Sequence, residues 1–282
     1  MTEIYSSIGM ISGNGVYPVT FARAARKAGV ERLVAAAFHN ETESGLEAEV
    51  DELSWFRVGQ LGKVINYFKK QNVRQAVMVG QIAPSNLFDI IPDTRTAMLL
   101  LKLKTKNAES IFGAIADELG KDGIELLLAT TYLDDLIPDA GHVCGPKLKG
   151  DQIQDADWGF GIAKEVSRMD IGQTIVVKNG TVLAVEAFEG TNRAIERGGK
   201  LGKGKAMVVK VSKPNQDLRF DVPCVGPATI ETARESQVSA IVVEAGKTLL
   251  LEREKVIELC AKYGITIFAK GDDSEPSMEG SS

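Results

Sequence analysis

Residues 7–38 read SIGMISGNGVYPVTFARAARKAGVERLVAAAF, and the order of apolar runs and glycines in them points to one kind of fold. Residues 7–11 are a short apolar run of the kind buried on both faces of a sheet, and Ser-Gly-Asn-Gly after it is a turn. A helical pattern follows over residues 18–27 and stops at Gly29, whose missing Cβ suits a left-handed C-cap. Residues 31–38 form a second apolar strand. Strand, turn, helix and strand in that order make a βαβ unit, and a helical crossover lays two strands side by side in the same direction. Gly13 and Gly15, with Asn14 between them, would let the backbone approach a phosphate at the helix start, where N–H groups and the helix dipole favour an anion. The nicotinamide fingerprint is incomplete, because Pro18 occupies the place of its third glycine and no carboxylate directly ends the second strand. Glycines of a tight structural turn account for the same residues.

Working outward, residues 63–71 read as a helix and residues 75–79 as a strand, which continues the alternation of a parallel sheet. Gly80-Gln81-Ile82-Ala83-Pro84 then falls just past a strand's carboxyl end, so Gln81 is a candidate polar contact. Residues 98–104, Met-Leu-Leu-Leu-Lys-Leu-Lys, suit either a core helix or one laid against a lipid surface. A helix over residues 109–119 and a strand over 125–128 complete the first half. Residues 132–150 are rich in Pro, Gly and Asp and lack a period, which marks a boundary. The expected organisation is therefore an N-terminal Rossmann-like parallel-sheet domain over 1–135, a linker over 136–150, a C-terminal mixed-sheet α/β domain over 151–271 and a mobile polar tail over 272–282.

In the second half, residues 153–168 are helical, and Asn179-Gly180 between two apolar runs is a strong hairpin signal. Gly190 and Thr191 open a polar helix over residues 192–197, where N–H groups could hold a phosphate. Residues 198–205, Gly-Gly-Lys-Leu-Gly-Lys-Gly-Lys, read as a flexible basic loop. A strand over 206–211 leads to residues 217–222, Asp-Leu-Arg-Phe-Asp-Val, whose strict alternation places Asp217, Arg219 and Asp221 on one face of a strand and Leu218, Phe220 and Val222 on the other. Pro223 ends that strand and leaves Asp221 at its lip, a suitable place for a catalytic carboxylate. On a regular strand Asp217 and Asp221 lie roughly 13 Å apart, too far to share one metal ion.

The chain of 282 residues is 44% hydrophobic and 25% charged, which fits a soluble globular protein of two ordinary domains. A net charge of −5 argues against a nucleic-acid partner, which would need a basic footprint. Three cysteines without a CxxC pair suggest neither a disulfide framework nor a zinc site, and two histidines leave no HExxH motif. The absence of a leader pattern and of an apolar run of about 18 residues leads us to expect a cytoplasmic protein. A metal, if used, would be Mg²⁺ held by carboxylates and substrate phosphates. Cleaving a phosphoric anhydride needs two phosphates neutralised and a water aligned. Lys210, Lys213 and Arg219 supply local positive charge, and Asp221 or Glu189 could ligate Mg²⁺ or orient water.

The segments Asp170-Ile171-Gly172-Gln173, Val185-Glu186-Ala187-Phe188-Glu189-Gly190-Thr191, Lys210 with Lys213-Pro214, Gln216-Asp217-Leu218-Arg219-Phe220-Asp221-Val222-Pro223 and Gly226-Pro227 resemble the LpxI-type UDP-2,3-diacylglucosamine diphosphatases of lipid A biosynthesis. The resemblance runs from the Gly13-Asn14-Gly15 turn to the last strand. It implies a Mg²⁺-dependent hydrolase that cleaves a nucleotide-linked lipid to UMP and 2,3-diacylglucosamine 1-phosphate, with water attacking the sugar-side phosphorus between the two domains. It places the family's essential aspartate on Asp221. Gly13, Asn14, Gly15, Gln81, Glu189, Gly190, Thr191, Lys210, Lys213, Gln216 and Arg219 are the candidate substrate contacts. It also implies a homodimer at the cytoplasmic face of the inner membrane, in peripheral contact with it. The chain departs from the usual family pattern at Asn14 (a glycine), Gln81 (an asparagine), Ala108-Glu109 (an Asp pair) and Asn192 (an aspartate). A non-catalytic sensor of a nucleotide sugar or lipid phosphate is the alternative function, and a dinucleotide-dependent oxidoreductase is a third.

Overall fold

The computed structural model describes residues 3–82, 91–105, 107–214 and 216–271, and the architecture is α/β with a five-stranded parallel sheet, a six-stranded mixed sheet and a two-stranded parallel pair. The chain divides into two compact units, residues 1–134 with 217–222, and residues 135–216 with 223–282. The segment expected as a mobile tail, 272–282, lies outside the described residues, as do Ala83 and Pro84.

The first unit contains β1 (Ser7–Ser12), α1 (Tyr17–Ala28), β2 (Arg32–Phe38), β3 (Glu52–Phe56), α2 (Leu61–Lys70), β4 (Gln75–Val79), α3 (Thr94–Lys102), α4 (Ala108–Lys121) and β5 (Glu125–Leu126). Its five strands are parallel in the order β3-β2-β1-β4-β5. β1, β2 and β4 are almost wholly buried, as continuous apolar runs covered on both faces must be. α1 buries Tyr17, Phe21 and Ala25, one stripe at helical spacing, and Gly29 ends it with φ of 103°. The order of strands reverses between β1 and β4, and the crevice beyond their carboxyl ends is where such sheets bind ligands. α3 divides its apolar side chains: Leu99 is buried and Leu100 and Leu103 pack on the same core, while Met98 and Leu101 face outward.

The second unit contains β6 (Gly141–Cys144), α5 (Asp151–Arg168), β7 (Thr174–Lys178), β8 (Thr181–Val185), α6 (Thr191–Gly202), β9 (Ala206–Lys210), β10 (Cys224–Val225), α7 (Pro227–Glu235), β11 (Val238–Glu244), β12 (Leu249–Leu250), α8 (Arg253–Tyr263) and β13 (Thr266–Lys270). The main sheet runs β6-β13-β11-β9-β7-β8, with β9, β11 and β13 parallel and the outer strands antiparallel to their neighbours. Val208, Ile241 and Val243 pack on one face with Ile195, Ile230 and Val256, whereas Met207, Val209 and Val242 pack on the other with Phe160 and Ala163 of α5. Alternate residues thus feed two cores, as the period of two requires. β6 lies within the stretch expected as a linker and pairs with β13, so that stretch belongs to the second unit's sheet.

Two further expectations are overturned. Residues 198–202 are not a loop; they continue α6, because their glycines are a packing surface. A Cβ on Gly198 would stand 2.4 Å from Val176 Cβ, and one on Gly199 would stand 2.3 Å from the Ser236 carbonyl oxygen. The stretch 217–222 is not a strand but a turn. The Asp217 carbonyl accepts from Phe220 N–H at 3.2 Å and Asp221 N–H at 3.0 Å, and the Asp217 carboxylate accepts from Arg219 N–H at 3.1 Å. An aspartate that bonds its own downstream backbone competes with a sheet ladder, and here the local bonds win. Phe220 anchors the turn by packing on Phe112, with ring centroids 5.7 Å apart.

Candidate functional site

In the first unit, the turn after β1 is stitched to the turn after β4. Gly13 N–H donates to Val79 O at 2.8 Å, Asn14 N–H to Gln81 O at 2.8 Å, and Gln81 N–H returns to Asn14 O at 3.4 Å. A Cβ on Gly13 would lie 2.5 Å from Gln81 O, so the chain's own backbone explains this glycine. Gly15, at φ of 80° with open space around its Cβ position, keeps a backbone that an external group could approach. Asn14 Nδ2 donates to the buried Glu41 carboxylate at 2.8 Å, which gives the asparagine a structural task.

The turn that carries Asp221 also lies in this unit, half-buried, held through Ala129 N–H to Leu218 O at 2.9 Å. Arg219 grips the Asp217 carboxylate through Nε at 2.9 and 3.1 Å and Nη2 at 2.6 Å. The guanidinium holds the Asp217 carboxyl below the usual carboxylate range. Arg219 is therefore committed to Asp217, and the bent chain replaces the extended separation of two carboxylates that a strand would impose.

In the second unit, Lys210 is the last residue of β9 and lies opposite Val243 of β11, so it sits at the carboxyl rim of the parallel strands. On its other side it is paired with Thr174, the first residue of β7. Glu186 follows the last residue of β8, and its N–H donates to Thr174 O at 2.8 Å. A relay of hydrogen bonds joins these elements: Lys210 Nζ donates to Thr191 Oγ1 at 3.0 Å, and Thr191 Oγ1 donates to Glu186 Oε1 at 2.8 Å. Lys210 and Glu186 are each only 8% exposed. Lys210 makes no ion pair among the described residues, and the other Glu186 oxygen, Oε2, is buried without a hydrogen-bond partner among them. Thr191 begins α6, whose N-cap is Gly190 at φ of 85°, with no side chain capping the first-turn N–H groups. A buried ammonium and a helix start with uncapped N–H groups suit a phosphate.

The remaining expected residues are distributed around this rim. Lys213 pairs through Nζ with Asp170, and its N–H donates to Gln216 Oε1 at 2.8 Å; Gln216 Nε2 reaches Gln173 Oε1 at 3.5 Å. Lys213, Gln216, Asp170 and Gln173 therefore form one polar cluster. Glu189 is differently placed. Its Oε1 pairs with Arg197 at 2.5 Å and its Oε2 accepts from Ala187 N–H at 3.2 Å. Its own backbone N–H and the Arg197 guanidinium hold its carboxyl below the ordinary value. Glu186, not Glu189, thus keeps an unused carboxylate oxygen. The signal was present in the sequence: Glu186 is two residues beyond buried Ala184, on the same inward face of the strand.

Among the described residues no group of three or more His, Cys, Asp or Glu side chains has the spacing to hold a metal ion by itself. Mg²⁺ commonly takes one or two carboxylates and completes its shell with water and substrate phosphate oxygens, a demand that Glu186 Oε2 fits. A cavity of about 440 Å³, lined by Asp151, Gln154, Asp155, Trp158, Asn179 and Gly180, lies at the tip of the β7–β8 hairpin, the opposite end of β7 from Thr174. Its buried Asp155 carboxylate already accepts from Asn179 and Gly180 N–H, each at 2.7 Å, and so serves the turn. The Lys210–Thr191–Glu186 relay lies at the other end of β7.

Comparison with known proteins gives the family. The LpxI N-terminal domain model matches residues 7–136, and the LpxI C-terminal domain model matches residues 139–268. The chain belongs to the LpxI family. This LpxI-family chain is also 28% identical over 284 residues to the UDP-2,3-diacylglucosamine pyrophosphatase LpxI of Caulobacter vibrioides, an alignment covering 95% of the chain and 99% of the relative. Both the Asp221 turn and the Glu186–Thr191–Lys210 relay fall within the C-terminal family match, although Asp221 packs with the first unit.

Proposed function

We propose that this protein hydrolyses the diphosphate of UDP-2,3-diacylglucosamine to UMP and 2,3-diacylglucosamine 1-phosphate in lipid A biosynthesis, with Mg²⁺ as cofactor. The observation that carries the reading is Lys210, a buried ammonium bonded to a threonine hydroxyl and to no carboxylate among the described residues, in a chain matched along its length by the LpxI domains. Such a cation is costly to bury unless an anion completes it, and a phosphate does so. The first-turn N–H groups of α6 add donors for the same charge.

In this reading Asp221 orients a water and takes up its proton as the oxygen bonds to the sugar-side phosphorus. The bridging P–O bond breaks and its electron pair leaves on the UMP phosphate, where Lys210 and the α6 N–H groups stabilise the developing charge. Bound Mg²⁺ would neutralise phosphate charge, with Glu186 as its protein ligand on the second unit. The test is turnover in ¹⁸O water, followed by mass spectrometry with and without Mg²⁺. Metal-dependent release of unlabelled UMP and labelled lipid phosphate is expected. Tight binding of the substrate without turnover would instead establish a sensor, and label in UMP would reverse the direction of attack.

A lipid substrate also gives the outward side of α3 a use. Ile91, Met98 and Leu101 are exposed, Leu101 by 83%, and the exposed Lys102 and Lys104 flank them in an otherwise acidic protein. We read this patch as peripheral contact with an anionic bilayer. No helix among the described residues is long and apolar enough to cross one. Leu101→Asp should lower co-sedimentation with phosphatidylglycerol-containing vesicles about tenfold, the equivalent of one leucine side chain left unburied. Unchanged sedimentation would remove the patch from the mechanism.

A further inference from the structure

Resting on the proposed diphosphatase reading, we propose that Glu186, through its unused Oε2, is the second unit's ligand for a divalent cation and that Thr191 and Lys210 set its orientation. Three observations converge on this atom. Glu186 is more than nine-tenths buried, yet only one of its two oxygens has a partner among the described residues. A buried carboxylate oxygen left without donor or cation carries a desolvation cost, so a built site normally completes it. The partnered oxygen is fixed by a chain of two bonds, Lys210 to Thr191 and Thr191 to Glu186, which leaves the carboxylate little freedom to turn away. Finally, the neighbours are phosphate-binding groups, the Lys210 ammonium and the uncapped start of α6.

A cation held between a carboxylate oxygen and a phosphate oxygen resolves the arrangement electrostatically. The ammonium and helix start attract the phosphate, the carboxylate attracts the metal, and the metal joins the two. One protein carboxylate is sufficient when phosphate oxygens and water supply the rest of the shell, in keeping with the lack of a three-carboxylate cluster among the described residues. Glu189, by contrast, has both oxygens engaged, Oε1 by Arg197 and Oε2 by the Ala187 N–H. Gly172 supports the position of Glu186: a Cβ there would stand 2.0 Å from the Glu186 carbonyl oxygen, so the glycine permits the loop to hold Glu186 at the rim.

The experiment is a titration of the full chain with Mn²⁺, in the presence of UMP and inorganic phosphate, following the free-ion signal by electron paramagnetic resonance. Wild type, Glu186→Gln, Glu186→Asp and Glu189→Gln are compared, with circular dichroism confirming the fold. Glu186→Gln is expected to weaken Mn²⁺ binding at least about 10-fold, since losing a ligand should cost no less than losing one of the outer-shell partners that support ligands, about 10–100-fold. Glu186→Asp should fall between, and Glu189→Gln should bind like wild type. Mn²⁺ affinity unchanged by Glu186→Gln, or no Mn²⁺ binding by wild type, would overturn the assignment and leave Glu186 as a prop for Thr191. A misfolded Glu186→Gln transfers the decision to Glu186→Asp, whose unaltered affinity would likewise overturn it. Metal binding stands apart from turnover: turnover without any metal would sink this inference and keep the diphosphatase, whereas Glu186-dependent Mn²⁺ binding without turnover would do the reverse.

Discussion

The Asp221→Ala protein is expected to turn over UDP-2,3-diacylglucosamine about 10²–10⁴-fold more slowly than wild type, the range for removal of a positioned acid–base group. The loss should fall on kcat rather than KM, because an aspartate that takes up a proton from water acts as the new bond forms and not as the substrate binds. The fold should survive. The bonds that shape the turn run from backbone atoms, Phe220 N–H and Asp221 N–H to Asp217 O and Ala129 N–H to Leu218 O, and an alanine keeps all of them. Phe220 still packs on Phe112. Asp217→Ala is the informative companion. It removes the carboxylate that holds Arg219 and bonds its N–H, so its effect should extend to both turn geometry and KM. If Asp221→Ala retained activity within tenfold of wild type while the reaction remained metal-dependent, the catalytic carboxylate would lie elsewhere. Glu186 would then be the first to test.

The parts of the fold that were legible in the sequence are those where one local signal had no competitor. The apolar runs of β1 and β2 with Gly29 between them, and Asn179-Gly180 between β7 and β8, specify backbone conformations directly: Gly29 takes φ of 103°, and Asn179 and Gly180 take 49° and 68°. β3 escaped because Glu52–Phe56 is a half-exposed edge strand whose alternation carries only short-range weight. Residues 198–202 were misread because glycine signals flexibility in composition, whereas here its missing Cβ lets α6 approach Val176 and Ser236. The Asp217–Val222 segment was misread as a strand because its alternation is genuine, but the Asp217 side chain and Phe220 packing outweigh it. Around the β9 rim, the sequence names Thr191 and Lys210, which the structure joins by a hydrogen bond, and Glu189, which it instead pairs with Arg197, eight residues further on. Long-range partners are what the sequence does not print.

Glu244→Gln should destabilise the second unit by about 3–5 kcal/mol at neutral pH, the cost typical of breaking a buried charge pair from one side. Glu244 ends β11 with no exposed surface, and its Oε2 accepts from Ser212 N–H at 2.7 Å and Ser212 Oγ at 2.8 Å. Its Oε1 meets Lys164 Nζ at 3.0 Å and Lys247 Nζ at 3.1 Å. These bonds fix the chain where it leaves β9, two residues after Lys210, so Glu244 is a positioning residue for the rim. Burial opposes ionisation of this carboxyl, but the Ser212 donors and the Lys164 ammonium together outweigh it and hold it below the ordinary glutamate value. A folded-state value below the unfolded one, about 4.3, sets the sign. The contribution is fully present above that value and is lost as pH falls through the lower folded-state value. Urea unfolding of wild type and Glu244→Gln should therefore differ most near neutrality and converge in acid. Glu165→Gln is the control: its pair with Arg168 is exposed on both sides, and its loss should cost below about 1 kcal/mol. A gap between wild type and Glu244→Gln that stayed constant into acid would show that the stabilisation comes from shape and neutral hydrogen bonding rather than from the ionised carboxylate. Equal costs for the buried and exposed variants would show that the Ser212 anchor does not hold the rim.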